Sequence, residues 1–82
     1  MKLICYLKAS YSPTAVKGYY NQIKAYQSFT YNPEKATYQD VMKYIRHLRE
    51  ANLHPKTIKN NLFAIKIYYR YLSETGIRKD NP

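Results

Sequence analysis

Cysteine, acidic residues and long apolar runs are all scarce in this sequence of 82 residues. Cys5 is the only cysteine, so the chain can form no internal disulfide and no cysteine-based zinc site, which suits a reducing compartment. The apolar stretch from Leu3 to Leu7 is too short for a signal sequence or a membrane span. We therefore expect a soluble cytoplasmic protein, and we expect Cys5 to be a small residue of the core.

The shortage of acids leaves a large positive charge. Fourteen lysines and arginines against five aspartates and glutamates give a net charge of +9, and no acid precedes Glu34. A small domain with this surplus attracts polyanions, so nucleic acid is the first candidate partner, an anionic membrane surface the second and an acidic protein the third. The length suffices for one core but not for an enzyme with a deep pocket and a separate substrate domain.

Helices account for the apolar pattern, because no segment shows the strict alternation that is typical of strands. Helix-start signals occur at Ser12-Pro13, at Thr37 with Asp40 and at His54-Pro55, and a helix-stop signal occurs at Thr75-Gly76. The predicted helices cover residues 2–9, 13–30, 38–51 and 55–74. The fold class is therefore all-α, a compact bundle of four helices.

The last predicted helix has an apolar stripe and a cationic face. Its apolar residues advance by steps of four and three, and they are Ile58, Leu62, Ile65, Tyr69 and Leu72. Its basic residues are Lys56, Lys59, Lys66 and Arg70. No acid interrupts them before Glu74, whereas a merely solvated face usually mixes both signs. This pattern favours a polyanion-binding face, with a solvated helix face as the alternative.

Other polar residues extend the candidate site. On the second helix, Lys17, Asn21 and Lys24 form a stripe opposite the apolar residues, while Gly18 indicates close approach of a neighbouring helix or of a ligand backbone. Lysine and arginine suit phosphate, Asn60 and Asn61 suit base edges or phosphate, and helix-start amides at Thr14 and Thr57 suit phosphate. The predicted DNA-binding residues are Lys17, Asn21, Lys24, Lys56, Thr57, Lys59, Asn60, Lys66 and Arg70.

Two segments carry a recognisable pattern. In the first, Ser12, Val16 and Tyr19 match a Ser-x-x-Thr-Ile/Leu-x-x-Tyr helix start, with Ala15 where threonine is usual. The second runs from Thr57-Ile58 through residues 62–72, LFAIKIYYRYL, to Asn81-Pro82, and its Phe63 replaces a small residue. Together they resemble the N-terminal core-binding, SAM-like domain of tyrosine recombinases of the phage integrase and Xer type.

That resemblance implies a domain that clamps one side of a DNA recombination site, with its second and fourth helices against duplex DNA. It implies that the Arg, His and Tyr nucleophile chemistry lies in a separate C-terminal domain, so residues 1–76 form a non-catalytic core-binding domain. Residues 77–82 then begin a linker to that catalytic domain. No cofactor, metal or small-molecule substrate is expected, and recombinases of this kind assemble in a synapse, which adds self-association of the full-length protein as a possible partner interaction.

An interaction module of another class is the alternative. Exposed tyrosines such as Tyr20, Tyr31 and Tyr68 could anchor another protein on a helical bundle. Metal binding by His47 and His54 is disfavoured because no third ligand accompanies them. A nucleophilic role for the tyrosines of the last helix is disfavoured as well, because the sequence offers no Arg-His constellation to activate them.

Overall fold

The computed structural model describes residues 2–77, and this part of the chain consists of helices and short connections. The helices are α1 (Leu3–Ser10), α2 (Pro13–Phe29), α3 (Tyr38–Glu50) and α4 (Pro55–Glu74), with a short 3₁₀ turn at Pro33–Lys35. No strand occurs within residues 2–77, which confirms the all-α prediction. Each helix begins and ends within one residue of its predicted range. The Asn81-Pro82 pair and most of the predicted linker lie outside the described residues.

Side-chain caps set the helix starts. The Ser12 hydroxyl accepts a hydrogen bond from the Ala15 amide at 3.4 Å. At α3, the Asp40 carboxylate accepts from the Thr37 amide at 2.8 Å while the Thr37 hydroxyl accepts from the Asp40 amide, so the predicted capping box is present. The hydrogen bonds from the Thr37 amide and hydroxyl hold the pKa of Asp40 below its ordinary value. His54 caps α4 with its Nδ1, which accepts from the Lys56 amide at 3.1 Å.

Helix α4 is the centre of the bundle, because α1, α2 and α3 all pack against it. Its buried arc is therefore wider than the predicted stripe. Ile67, Tyr68 and Tyr71 lie outside that stripe and are buried, whereas Ile58 and Leu62 are only partly buried. Tyr68 is only 3% exposed, so the expectation that it is a surface anchor was wrong. The core residues are Leu7, Val16, Ile23, Tyr26, Ala36, Val41, Tyr44, Ile45, Leu48, Ala64, Ile65, Ile67, Tyr68, Tyr69, Tyr71 and Leu72.

Tyrosines form one end of this core. The Tyr69 hydroxyl donates to the Pro33 carbonyl at 2.9 Å and is hydrogen-bonded to the Tyr26 hydroxyl. The rings of Tyr44 and Tyr68 meet the Tyr26 ring edge-on, with centroids 5.3 and 6.5 Å away. These contacts satisfy buried hydroxyls that would otherwise cost stability, and they fasten the α2–α3 connection to α4.

The structure contradicts the expectation for Cys5 and one of the two explanations offered for Gly18. Cys5 is exposed, because it lies on the side of α1 opposite Leu7, which is fully buried. A Cβ built at Gly18 would meet nothing within 4 Å, so close approach of a neighbouring helix does not explain this glycine. Gly76 behaves as predicted, since its φ of +79° is the left-handed conformation that follows a helix end.

Candidate nucleic-acid interface

Helix α4 presents a cationic surface on the side that no other helix covers. We call this surface the outer face of α4, and its exposed residues are Lys56, Thr57, Lys59, Asn60, Phe63, Lys66 and Arg70. The helix carries no acid between residues 55 and 73. Lys59, Lys66 and Arg70 follow one another at spacings of seven and four, so they share one side of the helix. All six residues predicted on this helix thus reach solvent.

Asn61 does not belong to this surface. It is 7% exposed, and its Nδ2 donates to the Thr57 carbonyl at 2.8 Å within the same helix. Its side-chain amide is therefore already hydrogen-bonded within α4, which contradicts the expectation that Asn61 could reach a base edge. Asn60, the next residue back along the chain, is exposed and keeps that possibility.

A groove between α3 and α4 borders the outer face of α4. Lys66 and Arg70 line it together with Tyr38 and Met42, and it encloses about 470 Å³. Lys59 lines a second groove nearer the α3–α4 connection, where Arg49 joins it. Sequence reasoning missed Arg49 as a companion of this surface, because its position in the last turn of α3 indicated only a solvated basic residue.

Two of the three predicted residues of α2 line a different groove. Lys17 and Asn21 line a depression of about 520 Å³ between α1 and α2, which also includes Lys8, Tyr11 and Tyr20. Lys24 places its Nζ 5.7 Å from the centre of the Tyr20 ring. The groove that Lys17 and Asn21 line shares no residue with the grooves along α4. We therefore treat the predicted residues on α2 and those on α4 as two cationic regions.

A row of aromatic rings connects the two regions. The Tyr11 ring lies 5.3 Å from the Tyr19 ring, and the Tyr19 ring lies 5.7 Å from that of Phe63 on the outer face of α4. Phe63 is 47% exposed. We call these three residues the aromatic row, and no feature of the sequence alone showed that they are neighbours.

The two histidines have structural positions. His47 stacks on the Phe29 ring at 4.8 Å, and His54 caps α4 as described above. Among residues 2–77, no group of three or more histidine, cysteine, aspartate or glutamate side chains could hold a metal ion. In the same part of the chain, no helix is both long and apolar enough to cross a membrane.

Three tyrosines have pKa values above the ordinary value of a tyrosine. Burial raises the pKa of Tyr44 and of Tyr68. Burial together with a hydrogen bond to the Glu74 carboxylate raises the pKa of Tyr6 to about 12. A nucleophilic hydroxyl needs an adjacent base or a lowered pKa, and these shifts have the opposite direction. These pKa shifts therefore favour a packing role, and not a nucleophilic role, for these tyrosines.

Comparison with known proteins identifies the domain. The family model of the phage integrase N-terminal SAM-like domain matches residues 5–78. The chain belongs to this family. Among curated proteins, the SAM-like domain is 29% identical to the tyrosine recombinase XerC of Chlorobaculum parvum and 26% identical to that of Bacillus licheniformis. These alignments cover 87% and 93% of the chain but only 24% and 27% of the relatives, so the chain spans about a quarter of their length. No solved structure matches it significantly.

The two departures from the family pattern have different surroundings in this SAM-like domain. Ala15 is half-buried at the start of α2, where its amide donates to Ser12, so the missing threonine does not remove the cap. Phe63 places a large ring between Lys59 and Lys66 on the outer face of α4. The second departure therefore changes the chemistry of the candidate interface.

Proposed function

We propose that this SAM-like domain binds duplex DNA at a recombination site and positions a separate catalytic domain there. The observation that carries the proposal is the outer face of α4, where Lys56, Lys59, Lys66 and Arg70 are exposed and no acid is interspersed. Membership of the integrase domain family and the recombinase names of its relatives support the same function.

The dimensions of the outer face suit a DNA backbone. From residue 56 to residue 70 the helix rises about 21 Å, at about 1.5 Å per residue. Exposed lysines and arginines along that length can neutralise several phosphates and release their counterions, which is the main source of affinity for such surfaces. Thr57 and Asn60 add uncharged donors beside the cations.

The α2 residues form the second DNA contact in this proposal. Lys17, Asn21 and Lys24 are exposed, and Gly18 beside them leaves open space where a ligand backbone can approach. Because Lys17 and Asn21 line a groove that contains no residue of α4, the two helices contact different parts of the bound DNA. Contacts of this kind fix the orientation of a duplex, whereas Asn21 and Asn60 are the residues that can read base edges.

Catalysis is assigned to another part of the protein. We infer that residues 1–76 are a binding domain without a cofactor or small-molecule substrate, that they function in the cytoplasm, and that strand cleavage belongs to a further domain. Self-association in the full-length protein, as expected for a recombination synapse, is part of the same proposal.

A salt titration of DNA affinity tests the proposal. Binding of a labelled duplex to the 82-residue chain should weaken steeply with salt, with a log–log slope of about 0.9 for each phosphate neutralised. Affinity for duplex that is absent, or that hardly depends on salt, would contradict a phosphate-contacting role.

One observation favours a second candidate, a protein-interaction module. Tyr31 is fully exposed, and Phe29 and Tyr38 are exposed at the same connection between α2 and α3. Exposed aromatic side chains are frequent anchors of protein interfaces. A contact made by these rings would depend weakly on salt. The affinity for a protein partner, measured over the same salt series, therefore separates the two functions.

A further inference from the structure

The α1–α2 groove and the aromatic row combine features that a DNA duplex cannot use. Ile4, Pro13 and Val16 give the groove an apolar lining, and Tyr11 and Tyr20 add rings. Bases inside a duplex have both faces covered by their neighbours. Away from the ends of a duplex, only an unpaired base has a free face that can stack on an aromatic side chain.

The charges around these rings fit a nucleic-acid strand. Lys8 and Lys17 line the groove, and Lys59 and Lys66 flank Phe63 at the other end of the aromatic row. Residues 1–33 contain four lysines and no acid, so no carboxylate of α1 or α2 repels a phosphate there. Phe63 is exposed and the rings of Tyr11 and Tyr19 are half-buried, so each retains some surface beside these cations. Cations beside accessible rings are the arrangement that single-strand binding surfaces use.

The aromatic row also joins the outer face of α4 to the α1–α2 groove. Its successive ring centres are 5.3 and 5.7 Å apart, and it leads from the outer face of α4 to the groove without a gap between rings. A strand whose phosphates contact Lys59 and Lys66 can therefore place unpaired bases over Phe63 and along the row. The Asn21 amide at the groove can both donate to and accept from the edge of such a base.

From these observations we infer that the domain has a binding track for unpaired DNA, which runs from Phe63 over Tyr19 and Tyr11 into the α1–α2 groove. The inference rests on the proposed DNA-binding function and deepens it, since it adds a stacking site for bases beside the duplex contact. Phe63 is the entry of the track, and it is one of the two residues at which this chain departs from the family pattern.

Three labelled DNAs of one sequence test the track by fluorescence anisotropy. They are the paired duplex, the same duplex with a short unpaired bulge, and the single strand. The wild-type chain should bind the bulged duplex more tightly than the paired duplex. The double variant Phe63→Leu with Tyr11→Leu keeps apolar contacts but loses two ring faces, so affinity for the bulged duplex should fall at least about fivefold. Affinity for the paired duplex should fall by a smaller factor, because the double variant leaves unchanged the lysines that contact its phosphates.

Tyr31→Leu is the matched control, because Tyr31 is fully exposed and lies outside the track. It should leave all three affinities unchanged, and helicity and melting temperature confirm that each variant folds. A 2-aminopurine placed in the bulge should lose fluorescence on binding to the wild type and keep more of it with the double variant. Equal affinity of the wild type for paired and bulged duplex, or a bulge preference unaffected by the double variant, would overturn the track.

The two proposals fail in different ways. Salt-dependent binding of paired duplex without any preference for unpaired bases would overturn the track and leave the duplex function intact. Binding of the single strand that depends on Phe63, together with no binding of paired duplex, would overturn the duplex function and support the track.

Discussion

The inner and outer faces of α4 belong to one helix but differ in almost every physical property. On the inner face, Ile65, Tyr69 and Leu72 are nearly inaccessible to solvent. On the outer face, Lys66 and Arg70 are exposed and no helix covers them. Ile65 and Lys66 are adjacent in the sequence, yet Ile65 lies in the core and Lys66 lies on the candidate interface.

This difference indicates that folding and the proposed DNA binding are separable in the domain, although one helix supplies both surfaces. Burial of apolar surface and the tyrosine hydrogen bonds stabilise the inner face, and both contributions depend little on salt. The outer face contributes little to packing, and its proposed role depends on charge. Substitutions on the two faces should therefore change different measurements.

The largest effect is expected at Ile65. Ile65→Ala removes buried methyl groups and leaves a cavity, which should lower the free energy of unfolding by about 2 to 5 kcal/mol. Lys66→Ala is the adjacent control on the outer face and should change it by less than about 0.5 kcal/mol. Urea unfolding followed by circular dichroism measures both. Equal costs for the two variants would mean that the faces are assigned wrongly.

The tyrosine hydrogen bonds should give the next largest effect. Tyr69→Phe removes the hydroxyl that donates to the Pro33 carbonyl and bonds to Tyr26, which should cost about 1 to 3 kcal/mol because buried polar groups lose a partner. Tyr38→Phe serves as the control, since Tyr38 is exposed. A Tyr69→Phe variant as stable as the wild type would contradict a structural role for this network.

Loss of the capping box should weaken α3, which packs against α4, while leaving both faces of α4 unchanged. Thr37→Ala removes the hydroxyl that accepts from the Asp40 amide and should cost about 1 kcal/mol. Thr37→Ser keeps a hydroxyl and should recover most of that loss. If alanine and serine were equally tolerated, the cap would contribute nothing measurable.

The smallest effect concerns Tyr6, which fastens α1 to the end of α4. Because burial and the Glu74 carboxylate raise the pKa of Tyr6 from about 10 to about 12, the folded state holds this proton more tightly than the unfolded state does. The stabilisation is complete below pH 10 and is lost as the pH rises towards 12. Tyr6→Phe should show a shallower loss of melting temperature across that range than the wild type. Parallel pH profiles for the two proteins would contradict the assignment.

Sequence patterns predicted α3 well and α4 incompletely. In α3, the apolar residues at helical spacing are all buried, because only one side of the helix meets the bundle, and those residues are Val41, Tyr44, Ile45 and Leu48. In α4, Tyr68 was misplaced because three helices pack against α4 and widen its buried arc. The amphipathic period gives the centre of a buried face but not its width, which depends on how many neighbours pack against it.

The candidate site was predictable only where it lies on one helix. The spacing of Lys59, Lys66 and Arg70 placed them together on α4, and the structure exposes all three. Whether Lys17 shares a groove with them depends on packing between helices, which local periodicity does not contain. The contacts of the aromatic row could not be predicted for the same reason, since they join α4 to residues more than forty positions earlier.

Charge reversal on α4, compared with an equal reversal on α3, tests the central claim most directly. Lys59→Glu with Lys66→Glu alters the outer face of α4, while Lys43→Glu with Arg46→Glu makes the same change in net charge on the exposed side of α3. We predict that the α4 pair weakens duplex binding strongly and lowers the salt slope by about 0.9 for each lost phosphate contact, while the α3 pair has a much smaller effect. Equal losses from the two pairs would show that total charge, and not the outer face of α4, determines DNA binding.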